Sequence, residues 1–104
     1  MALIGASAGA GPVLEAAGTK GVADQLILLS GTGDVSKLGK LPKLFVASEG
    51  EGLAPDARQM AKEAPGDRNQ ALILPGSAHA QAIFETDQGN RLLQRIIKRL
   101  HKYG

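Results

Sequence analysis

Apolar residues along the chain fall into short continuous runs separated by stretches of helical spacing, and this alternation predicts the fold. Ala2-Leu3-Ile4 leads into Gly5 as a first strand, and an alanine-rich stretch compatible with a helix continues to about Ala17, where Gly18 stops it. Asp24 to Leu29 is an apolar run closed by Ser30-Gly31-Thr32-Gly33, the pattern of a strand buried on both faces. Val35 to Leu41 is expected to hold one helical turn ended by Pro42. Lys43 to Ala47 then reads as a third strand, followed by a loop over Ser48 to Gly52. Pro55 suits the first position of a helix running to about Ala64, which Pro65-Gly66 terminates. Gln70 to Leu74 is the fourth strand, and Pro75-Gly76-Ser77 breaks the chain after it. Leu92, Leu93, Ile96, Ile97 and Leu100 form the apolar stripe of an amphipathic helix over Gln88 to His101. Four βα units predict an α/β fold of three layers: a four-stranded parallel sheet with right-handed crossovers and helices on both faces.

Composition narrows this to one small soluble domain over residues 1–104. The chain is 43% apolar and 21% charged, as ordinary globular proteins are, and its length permits a single core of modest stability. With no Trp, one Tyr and two Phe, that core must be aliphatic. The same scarcity removes the stacking platforms of a nucleic-acid module, so no nucleic-acid partner is expected. The net charge of +2 comes mainly from Arg91, Arg95, Lys98, Arg99, His101 and Lys102. A solvated helix face is preferred over a phosphate-binding patch there, since cations at a helix C-terminus also meet its dipole favourably. Without cysteine there is no disulfide or thiolate metal site, and neither a metal nor a cofactor is expected. No apolar run approaches the roughly 18 to 20 residues of a membrane span. The N-terminus also lacks a secretory n-region, so a cytoplasmic chain without membrane partners is expected.

In a parallel sheet of this kind, ligands bind at the carboxyl ends of the strands. Ser7, Glu49, Glu51 and His79 each closely follow a predicted strand, so all four should gather along one edge. Gly5-Ala6-Ser7-Ala8-Gly9 matches G-x-S-x-G between a strand and a helix, the context that gives the motif meaning. A serine on such a bend holds strained backbone, the small residues on either side let strand and helix approach, and its Oγ points outward. The Ala8 N–H, at the helix start, is placed to donate to a developing oxyanion.

A serine hydroxyl needs a base, and histidine suits that task near neutral pH. Of the two histidines, His101 sits among basic residues at a helix end, whereas His79 stands in the loop after the last strand. His79 is therefore the candidate general base. An acid must hold its tautomer. Glu51 is preferred, because Glu49 lies so close to the strand end that its side chain is expected to face the sheet; Asp56 is the third choice.

Three blocks carry a resemblance: Ile4 to Pro12, Phe45 to Glu51 and Leu74 to His79 are similar to successive blocks of bacterial α/β-hydrolases of the esterase and dienelactone-hydrolase type. The order Ser, acid, His is that family's order, and Pro12 resembles the proline frequent in its elbow helix. That family more often has Asp where this chain has Glu51. The resemblance implies the C-terminal half of an α/β-hydrolase and a serine hydrolase acting on small carboxylic esters through an acyl-enzyme. It also implies that the strands which precede the elbow strand in full members, and the second oxyanion donor that follows one of them, are missing. Weak activity is expected, together with a homo-oligomer, a dimer formed through the exposed Ala2–Gly5 edge or by exchange of elements.

Two other readings fit parts of the pattern. Gly5, Gly9 and Gly11 match the glycine spacing of nucleotide-binding short-chain dehydrogenases, but the Tyr-x-x-x-Lys pair is absent: Tyr103 is followed only by Gly104. A non-catalytic α/β-hydrolase fragment or engineered oligomerising module would keep the fold without turnover.

Overall fold

A computed structural model describes residues 2–19, 21 and 23–103, the Ala8 side chain excepted. Four strands, β1 (Ala2–Ala6), β2 (Gln25–Leu29), β3 (Lys43–Ser48) and β4 (Asn69–Leu74), form one all-parallel sheet in sequential order. Three α-helices accompany them: α1 (Ala10–Ala17), α2 (Ala54–Glu63) and α3 (Gly89–Tyr103).

Between their polar ends the central strands are apolar, over Leu26–Leu29 and Leu44–Ala47, because both faces are covered. Leu26, Leu28, Phe45 and Ala47 point to the side that carries Leu14 of α1 and Met60 of α2. Ile27, Leu29, Leu44 and Val46 point to the other, against Ile83 and against Leu92 and Ile96 of α3. The sheet is therefore sandwiched between α1 with α2 and α3.

The β2–β3 connection departs from expectation. Instead of a helical turn over Val35 to Leu41 it makes one tight turn, with the Leu38 N–H donating to Val35 O at 3.2 Å. The Asp34 carboxylate accepts from both the N–H and the hydroxyl of Ser36, at 2.9 and 2.6 Å, which fixes a turn in place of a helix. Val35 and Leu38 still bury themselves against the α1 side, so the connection covers the sheet without a helix. Three βα units result rather than four.

The remaining features are local. Pro12 is the third residue of α1, where first-turn N–H groups lack intrahelical partners anyway, so it costs no helix bond. A 3-10 segment, Ala80–Glu85, precedes α3 where the sequence pattern predicts no element. In α3 the inward face is Gly89, Leu92, Ile96 and Arg99. Three of the five residues of the expected apolar stripe turn outward: Leu93, Ile97 and Leu100 are 44%, 38% and 40% exposed. Among the described residues no helix is long and apolar enough to cross a membrane.

Candidate active site

Sequential strand order brings the segments after β1, β2, β3 and β4 to one edge of the sheet. β1 ends in extended backbone at Ala6, Ser7 turns to φ +50°, and a 3-10 turn over Ser7–Gly9 leads into α1. A positive φ at a residue bearing a side chain costs of order 1–3 kcal/mol and persists only where its surroundings hold it. Here the close approach of α1 to β1 does so. A Cβ added at Gly5 would stand 2.9 Å from the Val13 Cβ, whereas one at Gly9 would meet nothing within 4 Å. Only the first motif glycine is required by packing; the second is not.

The loops after β3 and β4 are stitched together. Gly50 N–H donates to Gly76 O at 2.8 Å, and the Ser48 hydroxyl donates to Ala78 O at 2.6 Å. This carries His79 over the sheet edge, where its Nε2 lies 2.6 Å from Ser7 Oγ. Its Nδ1 lies 2.6 Å from Glu51 Oε1. A carboxylate can only accept, so Nδ1–H donates to Glu51 and Nε2 is left to accept the Ser7 O–H. Three residues scattered over 72 positions thus form one unbroken line of hydrogen bonds.

Glu51 is the most enclosed member, with a side chain 5% exposed against 50% for His79. Its second oxygen accepts from the Ser48 N–H at 2.7 Å and from the Ser30 hydroxyl at 2.8 Å. Burial alone would raise the Glu51 carboxyl, but the Ser48 N–H, the His79 ring and the Ser30 hydroxyl outweigh it and hold the group below the ordinary carboxylate range. Glu49 and Asp56 stand apart. Glu49 is exposed rather than turned toward the sheet, because the chain enters the Glu49–Glu51 3-10 turn at once, and Asp56 is exposed in the first turn of α2. Ala8 is the second residue of the turn that begins at Ser7.

In the sequence Ser30 reads only as the residue that closes β2. It takes φ +52°, donates to Glu51, and accepts the Ala80 N–H at 2.8 Å. Its position past a strand end was the available signal. Gln81, Ala82 and Glu85 of the 3-10 segment complete an open cavity of about 220 Å³ over Ser7 and His79. A larger cavity of about 370 Å³, between α1 and the 33–37 loop, includes none of the three aligned side chains and has no chemistry of this kind. Among the described residues no group of three or more His, Cys, Asp or Glu side chains is placed to hold a metal ion.

No protein-family model, curated protein or solved structure matches this chain.

Proposed function

We propose that the chain is a serine hydrolase of the α/β-hydrolase type, acting on small carboxylic esters through an acyl-enzyme. The observation that carries this reading is the continuous line from Ser7 Oγ through the His79 ring to Glu51, each link 2.6 Å. In the reaction, Ser7 Oγ adds to the ester carbonyl as its proton passes to His79 Nε2, and Glu51 stabilises the imidazolium. The Ala8 N–H donates to the oxyanion. Collapse expels the alcohol, which takes the proton from His79. Water then attacks the acyl group, with His79 again accepting the proton, and Ser7 is regenerated. An open cavity of about 220 Å³ suits a small acyl group rather than a long chain. Ala8 is the one oxyanion donor this reading names, and a site working with a single donor would turn over about 10²- to 10³-fold more slowly than one with two.

The same reading takes the four strands as the C-terminal half of an α/β-hydrolase sheet, completed along the free edge of β1 by a second copy.

Labelling by a fluorophosphonate, with loss of fluoride and a covalent adduct on Ser7, is the direct test. Wild type should label and hydrolyse p-nitrophenyl acetate, while Ser7→Ala and His79→Ala should each do neither above free-imidazole background. Wild-type rates in either variant would refute the mechanism. A folded wild type that neither labels nor turns over would favour the non-catalytic reading.

A further inference from the structure

At the opposite end of the strands from Ser7, the C-terminal half of α3 and the start of β4 enclose a cavity of about 280 Å³ lined by Gln70, Arg95, Lys98, Arg99, Lys102 and Tyr103. Four of those six side chains are cations. Among the described residues none of the four forms an ion pair with a carboxylate. Arg68 adds a fifth positive charge nearby, its guanidinium 5.7 Å from the Tyr103 ring centre.

Arg99 decides what this cluster is. A solvated basic face would leave it in water, yet it is only 5% exposed. Its Nη1 donates to Gln70 Oε1 at 3.1 Å, and its guanidinium lies over the Tyr103 ring at 5.1 Å. Its Nε and Nη2 are buried without a hydrogen-bond partner. Leaving a charged donor buried and unpaired is costly, so the arrangement calls for an acceptor. A water molecule could take those bonds but would leave four like charges uncompensated around one hollow. An anion answers both needs, and a guanidinium fork flanked by ammonium groups matches the tetrahedral oxygens of phosphate. The volume lies just under that of drug-sized pockets, which restricts the ligand to a small one.

We infer that this cavity is a binding site for a phosphate dianion, either free or as the head of a small phosphomonoester, held by Arg99 at its base and by Arg95, Lys98 and Lys102 at its rim. The site is independent of the hydrolase reading and lies at the other end of the sheet from it.

Calorimetric titration at constant ionic strength tests the site. Inorganic phosphate should bind saturably at one site and raise the unfolding temperature in proportion to the logarithm of its concentration, whereas chloride and acetate should not. Phenyl phosphate competing more tightly than phosphate would assign the site to phosphomonoesters; phosphate alone binding would assign it to the free ion. The rim variant Lys98→Ala/Lys102→Ala should bind at least about tenfold more weakly, each lost charge-assisted bond being worth roughly that factor. Its stability in phosphate-free buffer should be unchanged. Arg99→Met should abolish binding and, by removing an unpaired buried charge, should be no less stable than wild type without phosphate. Equal responses to phosphate and chloride, equal affinities for phosphate and acetate, or wild-type affinity in the rim variant would overturn the proposal. So would a DNA duplex that binds through these residues when inorganic phosphate does not. If Arg99→Met failed to fold, the rim variant would still give the answer.

Discussion

Glu51 has two carboxylate oxygens and uses them differently: Oε1 faces His79, while Oε2 is occupied by the Ser30 hydroxyl and the Ser48 N–H. The second oxygen fixes the direction of the first. Glu51→Gln would present an N–H where His79 Nδ1 needs an acceptor and so favour the wrong tautomer, with an expected fall of about 10⁴-fold in kcat for p-nitrophenyl acetate. Ser30→Ala should act more mildly. It removes a charge-assisted bond worth about 1.5–3 kcal/mol and leaves the Ala80 N–H without its acceptor. Steady-state kinetics should show kcat down by roughly tenfold with KM little changed, because Ser30 positions the acid and does not line the cavity; a rise in KM at constant kcat would contradict that role. Ser7, Glu51 and His79 were legible because each lies within a few residues of a strand end, where a parallel sheet collects its chemistry. Ser30 lies there too. Its partner is 21 residues away, however, and no local pattern distinguishes a serine that ends a strand from one that also braces a carboxylate.

At the scale of elements, β2 and β3 are readable because their interiors, buried on both faces, are continuous apolar runs, while the connections are read less well. The β2–β3 segment has helix-compatible residues, but the Asp34 carboxylate captures the Ser36 backbone and sets a turn. In α3 the stripe of five aliphatic residues gave the helix but not its rotation, since the arc is wider than its contact with the sheet and Arg99 takes an inward place. Two element contacts invite tests. Gly5 lets α1 lie against β1, and Gly5→Ala would push a methyl to 2.9 Å from the Val13 Cβ and Cγ2. An expected loss of about 1–3 kcal/mol in urea unfolding should be partly recovered in Gly5→Ala/Val13→Ala, a non-additivity that two independent defects would not show. At the start of β3, the buried Lys43 ammonium donates to Leu41 O, Pro65 O and Asn69 Oδ1 at 2.8, 2.6 and 3.2 Å, tying β3 to the turn after α2. Burial, and secondarily the Arg68 charge, lower its pKa from 10.5 to about 8. Between those values the unfolded chain binds more protons than the folded one, so this lysine makes stability rise as pH goes from about 8 to 10.5. Urea unfolding across that range should show the rise in wild type and a flatter profile in Lys43→Met; equal slopes would remove Lys43 as the cause.

At the scale of the molecule, the described residues leave the sheet two edges, β1 and β4, and they differ in what they offer a partner. The β4 edge is flanked by Arg68 and by Arg95, Lys98 and Lys102 of α3, so a two-fold copy there would set like charges against each other. The β1 edge is apolar. Ile4, 46% exposed, pairs with Ile27 and so lies on the α3 side of the sheet. Helical spacing puts Leu93, Ile97 and Leu100 on the flank of α3 turned away from β4 and toward β1. An unpaired edge beside a stripe of half-exposed aliphatics favours a copy of itself: two β1 strands can pair antiparallel about a two-fold axis while the α3 flanks meet above them. Each large aliphatic side chain moved fully from water is worth about 1.5–3 kcal/mol, and these are already more than half buried. Four per copy still represent several kcal/mol toward association. Light scattering at micromolar concentration should therefore give a dimer. Ile4→Lys should convert it to a folded monomer, because a charge on that edge opposes pairing without entering the core. Monomer at every concentration in wild type would refute the edge pairing, and a dimer unchanged by Ile4→Lys would move the interface elsewhere.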